Sequence, residues 1–478
     1  ILGSTGSIGV STLNIVKKDN KNFRIILLST NTNAKKVFNQ AKELKAKNVI
    51  IVNTKKFLQW KNKFLKKKIN VFNNFEEFNK IFKKKIDYSI NAISGINGLY
   101  PTLKIIKYSK KIAIANKESI ICGWNLINKE LKKNNTKFIP VDSEHFSIFK
   151  LILNIQKNQI KKIIITASGG PFLKKKIDHR IKIKQALNHP NWKMGKKISI
   201  DSATLMNKVF EVIEAKKIFD LQLNQIDILI NPNSYIHAIV IFYDGTIKIL
   251  AHENNMSIPI YNSIYEPSYF KKYDTKFLNL KKINKLKLTL PNPKKFDSLK
   301  ILKLIPVKDS LYETVIISAN DELVRLFLDK KIKFKNITFY LNKIINFKIL
   351  KKYCNVKPKS ISQIFKVNEM VKKIIRTLKQ SMLAKRDEGG GKIFISAPDI
   401  FQLTYMKGNR KHPFLNSFLP MALTNINISY TGSNTYSTFY DGTPTHMRMD
   451  LTFKELNPIY QEDQDNLYAD ASNTSVGY

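Results

Sequence analysis

The sequence predicts an α/β protein of several domains that begins with a Rossmann-like domain. Gly3, Gly6 and Gly9 have the spacing of a dinucleotide-binding turn, because glycines at such intervals allow a tight turn and the close approach of a pyrophosphate to a helix N-terminus. An alternation of strand and helix patterns follows them to about residue 145, and this order is typical of a parallel sheet. A length of 478 residues leaves room for about three or four domains.

The first domain would consist of short strands and helices in turn. Val10 to Val16 are expected to form its first helix, and Phe23 to Ser29 its second parallel strand. The chain lacks an initiator Met and starts with the last residues of the first strand. Because that strand would be central in the sheet, we expect a truncated first strand and a fragment of a longer gene product.

Two carboxylates follow the apolar run 138–141, which is expected to end a strand. Alternate strand residues face the same side, so Asp142 and Glu144 can converge on one point. With Glu211 they would offer three oxygen ligands to a hard divalent ion such as Mg2+ or Mn2+. A solvated turn is the alternative interpretation of the Asp-x-Glu pair taken alone.

The segment 198–214 carries the strongest local signal. A serine-rich turn is predicted to run into a helix on which Asn207, Lys208 and Glu211 share one face. Hydroxyls, an amide and a cation near a helix N-terminus suit a phosphate, and a carboxylate one turn further on suits a metal ion beside it. An amphipathic helix with a solvated polar face is the simpler alternative.

Six ordered motifs together resemble the 1-deoxy-D-xylulose 5-phosphate reductoisomerase family, from residue 1 to about residue 380. They are GSTGSIG (3–9), ANKES (115–119), PVDSEH (140–145), ASGGPF (167–172), HPNWKMGKK (189–197) and DSATLMNK (201–208). The resemblance implies a homodimeric enzyme that uses NADPH and one Mg2+ or Mn2+ ion per subunit. It would convert 1-deoxy-D-xylulose 5-phosphate, a sugar phosphate, into 2-C-methyl-D-erythritol 4-phosphate by a carbon-skeleton rearrangement and a hydride reduction.

The resemblance also implies roles for individual residues. NADPH would be bound by Thr5, Gly6, Ser7, Ile8, Asn33, Asn116, Glu118 and Gly195. The metal would be bound by Asp142, Glu144 and Glu211. The substrate would be bound by Lys117, Ser143, Glu144, Ser168, His189, Trp192, Ser202, Asn207, Lys208 and Glu211. Among these, the catalytic residues would be Lys117, Glu144 and His189.

The segment 186–196 resembles the family's lid, which closes over the substrate and excludes water. Taken alone, His189 would be interpreted as a loop histidine and Trp192 as a packed core aromatic. His237 also fits a family position near the site, but a core histidine is an equally good interpretation.

Two positions depart from the family pattern. Asn31-Thr32-Asn33 stands where relatives carry a lysine near the adenosine 2'-phosphate, although Lys35 and Lys36 could compensate. Val209 stands where relatives have glycine, and we expect it to crowd the helix that faces the phosphate.

The net charge of +46 would ordinarily suggest a nucleic-acid or membrane partner. The lysines, however, are scattered through every element among Ile and Asn, which indicates a codon bias and no specific nucleic-acid site. The sequence contains no run of about 18 uncharged apolar residues, so no membrane span is predicted. Two cysteines, Cys122 and Cys354, fit a reducing, bacterial-type cytoplasm, with a lost organelle-targeting peptide as the alternative.

The composition changes near residue 381, where the excess of basic residues ends. A glycine-rich linker is predicted there, and the strands 425–430 and 447–453 would follow. The stretch 435–464 resembles the C-terminal part of baseplate and tail-tube proteins of contractile-tailed phages. This second resemblance implies a chimera of two unrelated reading frames.

The predicted organisation therefore has six parts. They are a Rossmann-like NADPH-binding domain (1–145), an α/β catalytic domain with the lid (146–265), a connecting region (266–291), a C-terminal helical domain (292–380), a linker (381–391) and a β-rich phage-tail-like segment (392–478). Three functions stay open: an active reductoisomerase, a phage structural component with an inactive N-terminal region, and a basic nucleic-acid-binding protein. Only the first accounts for the six motifs.

Overall fold

The structure is a computed structural model that describes residues 1–178, 180–192, 194–265 and 283–381, and the strand residues 400–401, 406–407, 410–411, 421–429 and 448–455. It consists of two compact units. The first comprises Ile1–Ile345 and Tyr353–Glu369, and the second comprises Asn346–Lys352 and Met370–Tyr478. The predicted α/β class with a helical C-terminal part is confirmed. The domain boundaries drawn inside the first unit stay predictions.

Two three-stranded parallel sheets open the first unit. Their strands are β1 (Leu27–Thr30), β2 (Asn48–Ile51), β3 (Asn70–Phe72), β4 (Ile86–Asn91), β5 (Ser109–Ile114) and β6 (Lys137–Pro140). The Leu2 amide donates to the Ile90 carbonyl at 2.9 Å, and the Ser4 amide donates to the Ser29 carbonyl at 2.9 Å. The segment 1–4 therefore lies between β1 and β4, the central position predicted for the first strand.

Six helices accompany these strands. They are α1 (Ser7–Lys18), α2 (Ala34–Glu43), α3 (Thr54–Leu65), α4 (Phe78–Ile81), α5 (Leu99–Ile106) and α6 (Lys117–Lys133). Helix α1 begins three residues before the predicted Val10, because the turn is already complete at Gly6. The predicted second strand is shorter than expected: only Leu27–Thr30 have partners, since β2 starts at Asn48.

A four-stranded mixed sheet forms the second half of the α/β part. Its strands are β7 (Ile160–Ala167), β8 (Ile226–Ile230), β9 (Ile236–Phe242) and β10 (Ile247–Ala251), in the order β10-β9-β7-β8 with only the β7–β8 pair parallel. The accompanying helices are α7 (Ser143–Leu151), α8 (Ile183–Leu187), α9 (Lys196–Ala203), α10 (Met206–Ile218) and α11 (Ser257–Ile264). Val212 and Ala215 of α10 pack with Ile163 and Ile228 of the sheet in one buried cluster.

Two local expectations are wrong. The serine-rich segment before Asn207 is the helix α9 and not a turn, because Leu205 alone adopts the left-handed conformation (φ 61°) that separates α9 from α10. Asp142 and Glu144 do not alternate along a strand, because β6 ends at Pro140 and α7 begins at Ser143. They converge by the geometry of a helix N-terminus.

Helices follow the mixed sheet along the chain, as predicted. A 3-10 helix (Asp297–Leu304), α12 (Tyr312–Leu328) and α13 (Phe334–Ile345) belong to the first unit, α14 (Lys348–Lys351) belongs to the second, and α15 (Ile361–Ser381) begins in the first unit and ends in the second. The predicted helical patterns 311–327 and 361–378 thus correspond to α12 and α15. Most of the predicted connecting region, residues 266–282, lies outside the described residues.

Short strands appear in the second unit. Strand β14 (Met421–Ser429) pairs antiparallel with β15 (Arg448–Glu455) and with β11 (Ile400–Phe401), while β12 (Met406–Lys407) pairs with β13 (Arg410–Lys411). Both predicted strands are therefore present. The linker 382–391, the turns near residues 432 and 441 and most of 435–464 lie outside the described residues.

Among the helices of the described ranges, none is both long and apolar enough to cross a membrane.

Candidate active site

A cavity of about 800 Å3 lies in the first unit, at the carboxyl ends of the parallel strands. Its wall includes Ala92 after β4, Asn116 after β5, Asp142 after β6 and Ser168 after β7. Open α/β sheets bind their ligands at this edge. The fold therefore predicts a binding site here without reference to any motif.

The cavity brings together most of the residues that the sequence singled out. The predicted site residues that line it are Gly6, Ser7, Ile8, Asn116, Lys117, Glu118, Asp142, Ser143, Glu144, Ser168, His189, Trp192, Gly195, Ser202, Asn207, Lys208 and Glu211. Thr5 and Asn33 do not line it. The Thr5 hydroxyl shares a hydrogen bond with Thr30 (2.8 Å), and Asn33 caps α2 by accepting from the Lys36 amide (3.2 Å).

Three carboxylates face one another in the cavity. Asp142 caps α7, where its Oδ1 accepts from the Glu144 amide at 3.3 Å. Glu144 lies in the first turn of α7, and Glu211 extends from α10. One oxygen of each lies within 4.8 Å of the others. This donor set is one that a hard divalent cation prefers.

Two buried ammonium groups contact these carboxylates. Lys208 Nζ lies 2.9 Å from Glu144 Oε1 and also forms an ion pair with Glu211 Oε2. That Glu211 oxygen is buried, and its contact with the lysine lacks hydrogen-bond geometry. An oxygen in this state still has a lone pair for a metal ion.

Lys117, the first residue of α6, approaches from the opposite side. Its Nζ lies 3.0 Å from Glu211 Oε1 and 3.1 Å from Asp142 Oδ2, and it donates to Asn207 Oδ1 at 2.9 Å. Lys117, at the start of α6, thereby contacts two of the three metal-ligand candidates, Asp142 and Glu211, and is tied to α10.

Electrostatics separate the three carboxylates. Burial and the charge of Glu211 raise the pKa of Glu144 to about 7. Burial opposes ionisation of Asp142 as well, but Lys117 and His145 outweigh it and hold the pKa of Asp142 well below its usual value. Crowded carboxylates of this kind gain from a cation placed between them.

His145 and Glu214 form a supporting layer that sequence reasoning missed. His145 Nδ1 lies 3.1 Å from Asp142 Oδ1 and 3.5 Å from Glu214 Oε2, while its Nε2 lies 2.9 Å from the Glu211 carbonyl. Burial lowers the pKa of His145, but Glu214 and Asp142 raise it to about 9. Spacing was the available signal: His145 and Glu214 each follow a metal-ligand candidate by three residues.

The segment after α8 folds around the His189 imidazole. Its Nδ1 accepts from the backbone amides of Asn191 and Trp192, each at 3.1 Å, so its Nε2 carries the hydrogen toward Ser168 Oγ at 2.9 Å. Burial lowers the pKa of His189 to about 4, which keeps the ring neutral. The Trp192 ring meets His237 edge-on at 6.3 Å, and His237 also lines the cavity.

The N-terminus of α1 also lines the cavity. Gly6 caps this helix, and no side chain of the described residues caps it. Gly3 has φ +78°, and a Cβ on Gly9 would overlap the Gly3 carbonyl oxygen. The backbone amides of the first turn therefore face a cavity that an anionic group can enter.

Two further details revise the sequence interpretation. Asn116 uses its amide inside the protein, where it donates to Gly95 O at 2.6 Å and accepts from the Ser119 amide at 2.8 Å. Val209 is fully buried and does not line the cavity, so it would act on the phosphate side only through the packing of α10, and the expected crowding of that helix stays a prediction.

Three family models match successive parts of the chain. Residues 1–123 match the model described as 1-deoxy-D-xylulose 5-phosphate reductoisomerase, residues 138–219 match the C-terminal domain of 1-deoxy-D-xylulose 5-phosphate reductoisomerase, and residues 252–374 match the DXP reductoisomerase C-terminal domain.

Curated relatives agree with these matches. A 1-deoxy-D-xylulose 5-phosphate reductoisomerase of Pelagibacter ubique (strain HTCC1062) is 55% identical over 375 residues, which are 78% of this chain and 96% of the relative. One of Clostridium tetani (strain Massachusetts / E88) is 37% identical over 381 residues, which are 79% of this chain and 98% of the relative.

Solved structures agree as well. A DOX-P reductoisomerase in complex with NADPH, fosmidomycin and magnesium superposes with a TM-score of 0.74 at 31% identity, covering 80% of this chain and 98% of that chain. The enzyme from Zymomonas mobilis in complex with NADPH gives a TM-score of 0.71 at 30% identity, with the same coverage.

Proposed function

This chain belongs to the 1-deoxy-D-xylulose 5-phosphate reductoisomerase family, and from this premise we infer its reaction and the roles of its residues. It is an NADPH- and divalent-metal-dependent enzyme that converts 1-deoxy-D-xylulose 5-phosphate into 2-C-methyl-D-erythritol 4-phosphate, a step of non-mevalonate isoprenoid precursor biosynthesis. The observation that carries this conclusion is the lining of one cavity, which brings three converging carboxylates and the N-terminus of α1 into the same wall.

Asp142, Glu144 and Glu211 are the proposed metal ligands. Their oxygens lie within 4.8 Å of one another, and Glu211 Oε2 is buried without a hydrogen bond, which supports a fit to Mg2+ or Mn2+. When bound, such an ion supplies a Lewis acid at the oxygens of the substrate. The chain itself supplies the orientation: Lys117 and His145 hold Asp142 from two sides.

Lys117 and Ser143 are proposed to contact the reacting end of the substrate. The Lys117 ammonium is already held by three oxygens, so it can exchange one of these partners for a substrate oxygen with little loss of side-chain freedom. The Ser143 hydroxyl donates to Glu144, which aligns that carboxylate.

Ser168, His189, Ser202, Asn207 and Lys208 are proposed to bind the rest of the substrate and its phosphate. Lys208 now pairs with Glu144 and Glu211, the same carboxylates that the metal site would use. Its ammonium is therefore free to turn to a phosphate when those oxygens are otherwise occupied. The neutral His189 presents an N–H donor on the same wall.

NADPH binding is proposed for the turn Thr5–Ile8 together with Asn33, Asn116, Glu118 and Gly195. Thr5 and Asn33 would act by holding the turn and α2 in place, because neither lines the cavity. The Lys36 ammonium donates to the Thr5 carbonyl at 2.9 Å. This contact supports Lys36 as the cation that the Asn31-Thr32-Asn33 turn lacks.

The segment 186–196 is proposed to be the lid. His189, Trp192 and Gly195 all line the cavity from this segment. Closure over the substrate would exclude water and strengthen the polar contacts inside.

We also propose a cytoplasmic homodimer. On the edge strand β10, Ile247 and Ile249 are 58% and 53% exposed, and Tyr243 just before it is 68% exposed. Within the described residues no strand pairs with the outer edge of β10. An exposed apolar strand edge is a surface that a second copy can cover.

The segment after about residue 380 is proposed to lie outside the enzyme. The family matches end at residue 374, and the relatives are covered almost completely by then. Its resemblance to phage baseplate and tail-tube proteins stays a prediction.

The experiment that tests the function is NADPH oxidation, followed by absorbance, with the purified full chain. Oxidation should require both 1-deoxy-D-xylulose 5-phosphate and Mg2+ or Mn2+. Fosmidomycin should block it, because its hydroxamate and phosphonate would occupy the metal and phosphate positions. A folded chain that binds NADPH but shows no substrate-dependent oxidation would contradict the function.

A further inference from the structure

A second group of paired charges borders the cavity, apart from the metal-ligand candidates. Lys197 Nζ lies 2.7 Å from Glu118 Oε1, 3.0 Å from Asp201 Oδ2 and 3.0 Å from Asp321 Oδ1. These four residues are called the Lys197 cluster. Lys197, Glu118 and Asp201 all line the cavity.

The cluster joins three elements that are distant in sequence. Glu118 lies in the first turn of α6, Lys197 and Asp201 lie one turn apart on α9, and Asp321 extends from α12. The neighbouring Asn320 donates to Asp201 Oδ1 at 2.7 Å, which attaches α9 to α12 a second time. A single ammonium group therefore holds three helices together at the cavity wall.

Because Lys197 lies in the first turn of α9, its ion pairs fix the position of the start of that helix. Gly195 is the N-cap of α9 and the next-to-last residue of the segment 186–196. Glu118 is the neighbour of Lys117, which contacts the metal-ligand candidates Asp142 and Glu211. The start of α9 is thus fixed against the start of α6 at the cavity wall.

We propose that Lys197 is a positioning residue for NADPH, which holds Gly195 and Glu118 in register across the cavity. This inference rests on the proposed function, because Gly195 and Glu118 are the cofactor-binding residues assigned above. Without Lys197, three carboxylates would face one another with no cation among them, and Glu118 would turn away from its partners.

Charge supports this assignment. Burial opposes the ammonium form of Lys197, but Asp201, Asp321 and Glu118 outweigh it and hold the pKa of Lys197 well above its usual value. Burial, opposed by Lys197 and reinforced by Glu118, raises the pKa of Asp321 to about 6. The charged form of Asp321 is therefore disfavoured in the cluster, whereas, despite burial, Lys197 holds the pKa of Glu118 below its usual value.

Lys217 provides a control for the loss of a paired lysine. Its side chain is 3% exposed, against 31% for Lys197, and it pairs with Asp309 and with Glu313 Oε1 at 3.1 Å, so its loss would leave the buried Glu313 carboxylate without this cation. Lys217 does not line the cavity. If the role of Lys197 were purely structural, its loss would affect NADPH binding no more than the loss of Lys217.

The test is the dissociation constant of NADPH, measured by cofactor fluorescence without metal or substrate, for the full-length wild type, Lys197→Met and Lys217→Met. We expect Lys197→Met to weaken binding at least tenfold and Lys217→Met to leave it within twofold, although both lower the melting temperature. Asp321→Asn in the Lys197→Met background should recover at least threefold of the lost affinity, because it removes one repelling charge.

Equal NADPH affinity in the wild type and Lys197→Met would overturn the inference alone, as would equal losses in the two lysine variants. If Lys197→Met does not fold, the test uses the double variant Lys197→Met/Asp321→Asn and compares it with Asp321→Asn alone. The double variant should bind NADPH at least threefold more weakly. Equal binding by these two variants would overturn the inference. A folded wild type that does not bind NADPH would overturn the proposed function and this inference with it.

Discussion

Two buried lysines of helix α10 lie nine positions apart and carry different consequences. Lys208 and Lys217 are 5% and 3% exposed, and each pairs with two carboxylates. Only Lys208 lines the cavity, and only its partners converge with a third carboxylate, Asp142. Burial and pairing alone therefore do not identify a site. Access from a cavity and crowding of like charges do.

The largest effect should come from removing a metal ligand. Glu211→Gln is expected to lower kcat by roughly a thousandfold or more, because a Lewis acid contributes several kcal/mol to the transition state. NADPH binding should change little, because Glu211 is not among the residues proposed to bind the cofactor. Steady-state kinetics and fluorescence titration measure the two effects. Full activity of this variant with Mg2+ or Mn2+ would remove Glu211 from the site.

The comparison of the two lysines can be tested directly. Lys208→Ala should mainly raise KM for the sugar phosphate, by about 10- to 150-fold, as expected for roughly 1.5–3 kcal/mol from a hydrogen bond to a charged group. Lys217→Ala should lower the melting temperature and leave KM unchanged. An unchanged KM in Lys208→Ala, or an equal rise in both variants, would mean that the cavity does not distinguish them.

Removing a residue that orients the proposed metal ligands should have a smaller effect than removing a ligand. His145 contacts Asp142 and the Glu211 backbone without lining the cavity. His145→Gln is expected to weaken Mn2+ binding by about 10- to 100-fold, the usual effect of residues that orient metal ligands. Isothermal titration calorimetry with Mn2+ measures this, and unaltered affinity would assign His145 to packing only.

The pH dependence of stability tests whether the carboxyls around the cavity end of α10 are crowded. Burial is the main cause that raises the pKa values of Glu144 and Glu214 in the folded protein to about 7. The folded state then binds the protons of these two carboxyls more tightly than the unfolded state above about pH 4.5, so their contribution to metal-free stability should fall as pH rises from about 5 to 7.5. Histidines such as His189, whose folded pKa is lowered, contribute in the opposite direction, so the quantity to compare is the stability of the wild type minus that of Glu144→Gln. Denaturant unfolding of both proteins should show this difference falling as pH rises, and a difference that rises would contradict the assigned electrostatics.

The smallest effect should follow deletion of residues 382–478. Every proposed ligand precedes residue 212, so kcat and KM should stay within about twofold of the full chain. Assays of both forms at equal folded concentration measure this. Activity found only in the full chain would make the β-rich segment a functional part of the enzyme.

The sequence predicted which residues line the site better than it predicted the backbone geometry that brings them together. The carboxyl ends of β4 to β6 follow from the strand/helix alternation, and their parallel sheet places Asn116 and Asp142 at one edge, while Ser168 reaches the same cavity from the separate mixed sheet. The break at Leu205 could not be predicted, because a left-handed leucine has no local sequence signal. The Lys197 cluster also escaped prediction, because its partners Glu118 and Asp321 come from distant helices.

The central claim is that the cavity end of α10 binds the metal and the Lys217 end does not. Mn2+ binding by the full chain, measured by electron paramagnetic resonance of the free ion, tests it with Glu211→Gln and with Glu313→Gln, a partner of Lys217. The account predicts one tightly bound ion per chain in the wild type and in Glu313→Gln, and none in Glu211→Gln. Tight binding that survives Glu211→Gln, or that is lost in Glu313→Gln, would contradict it.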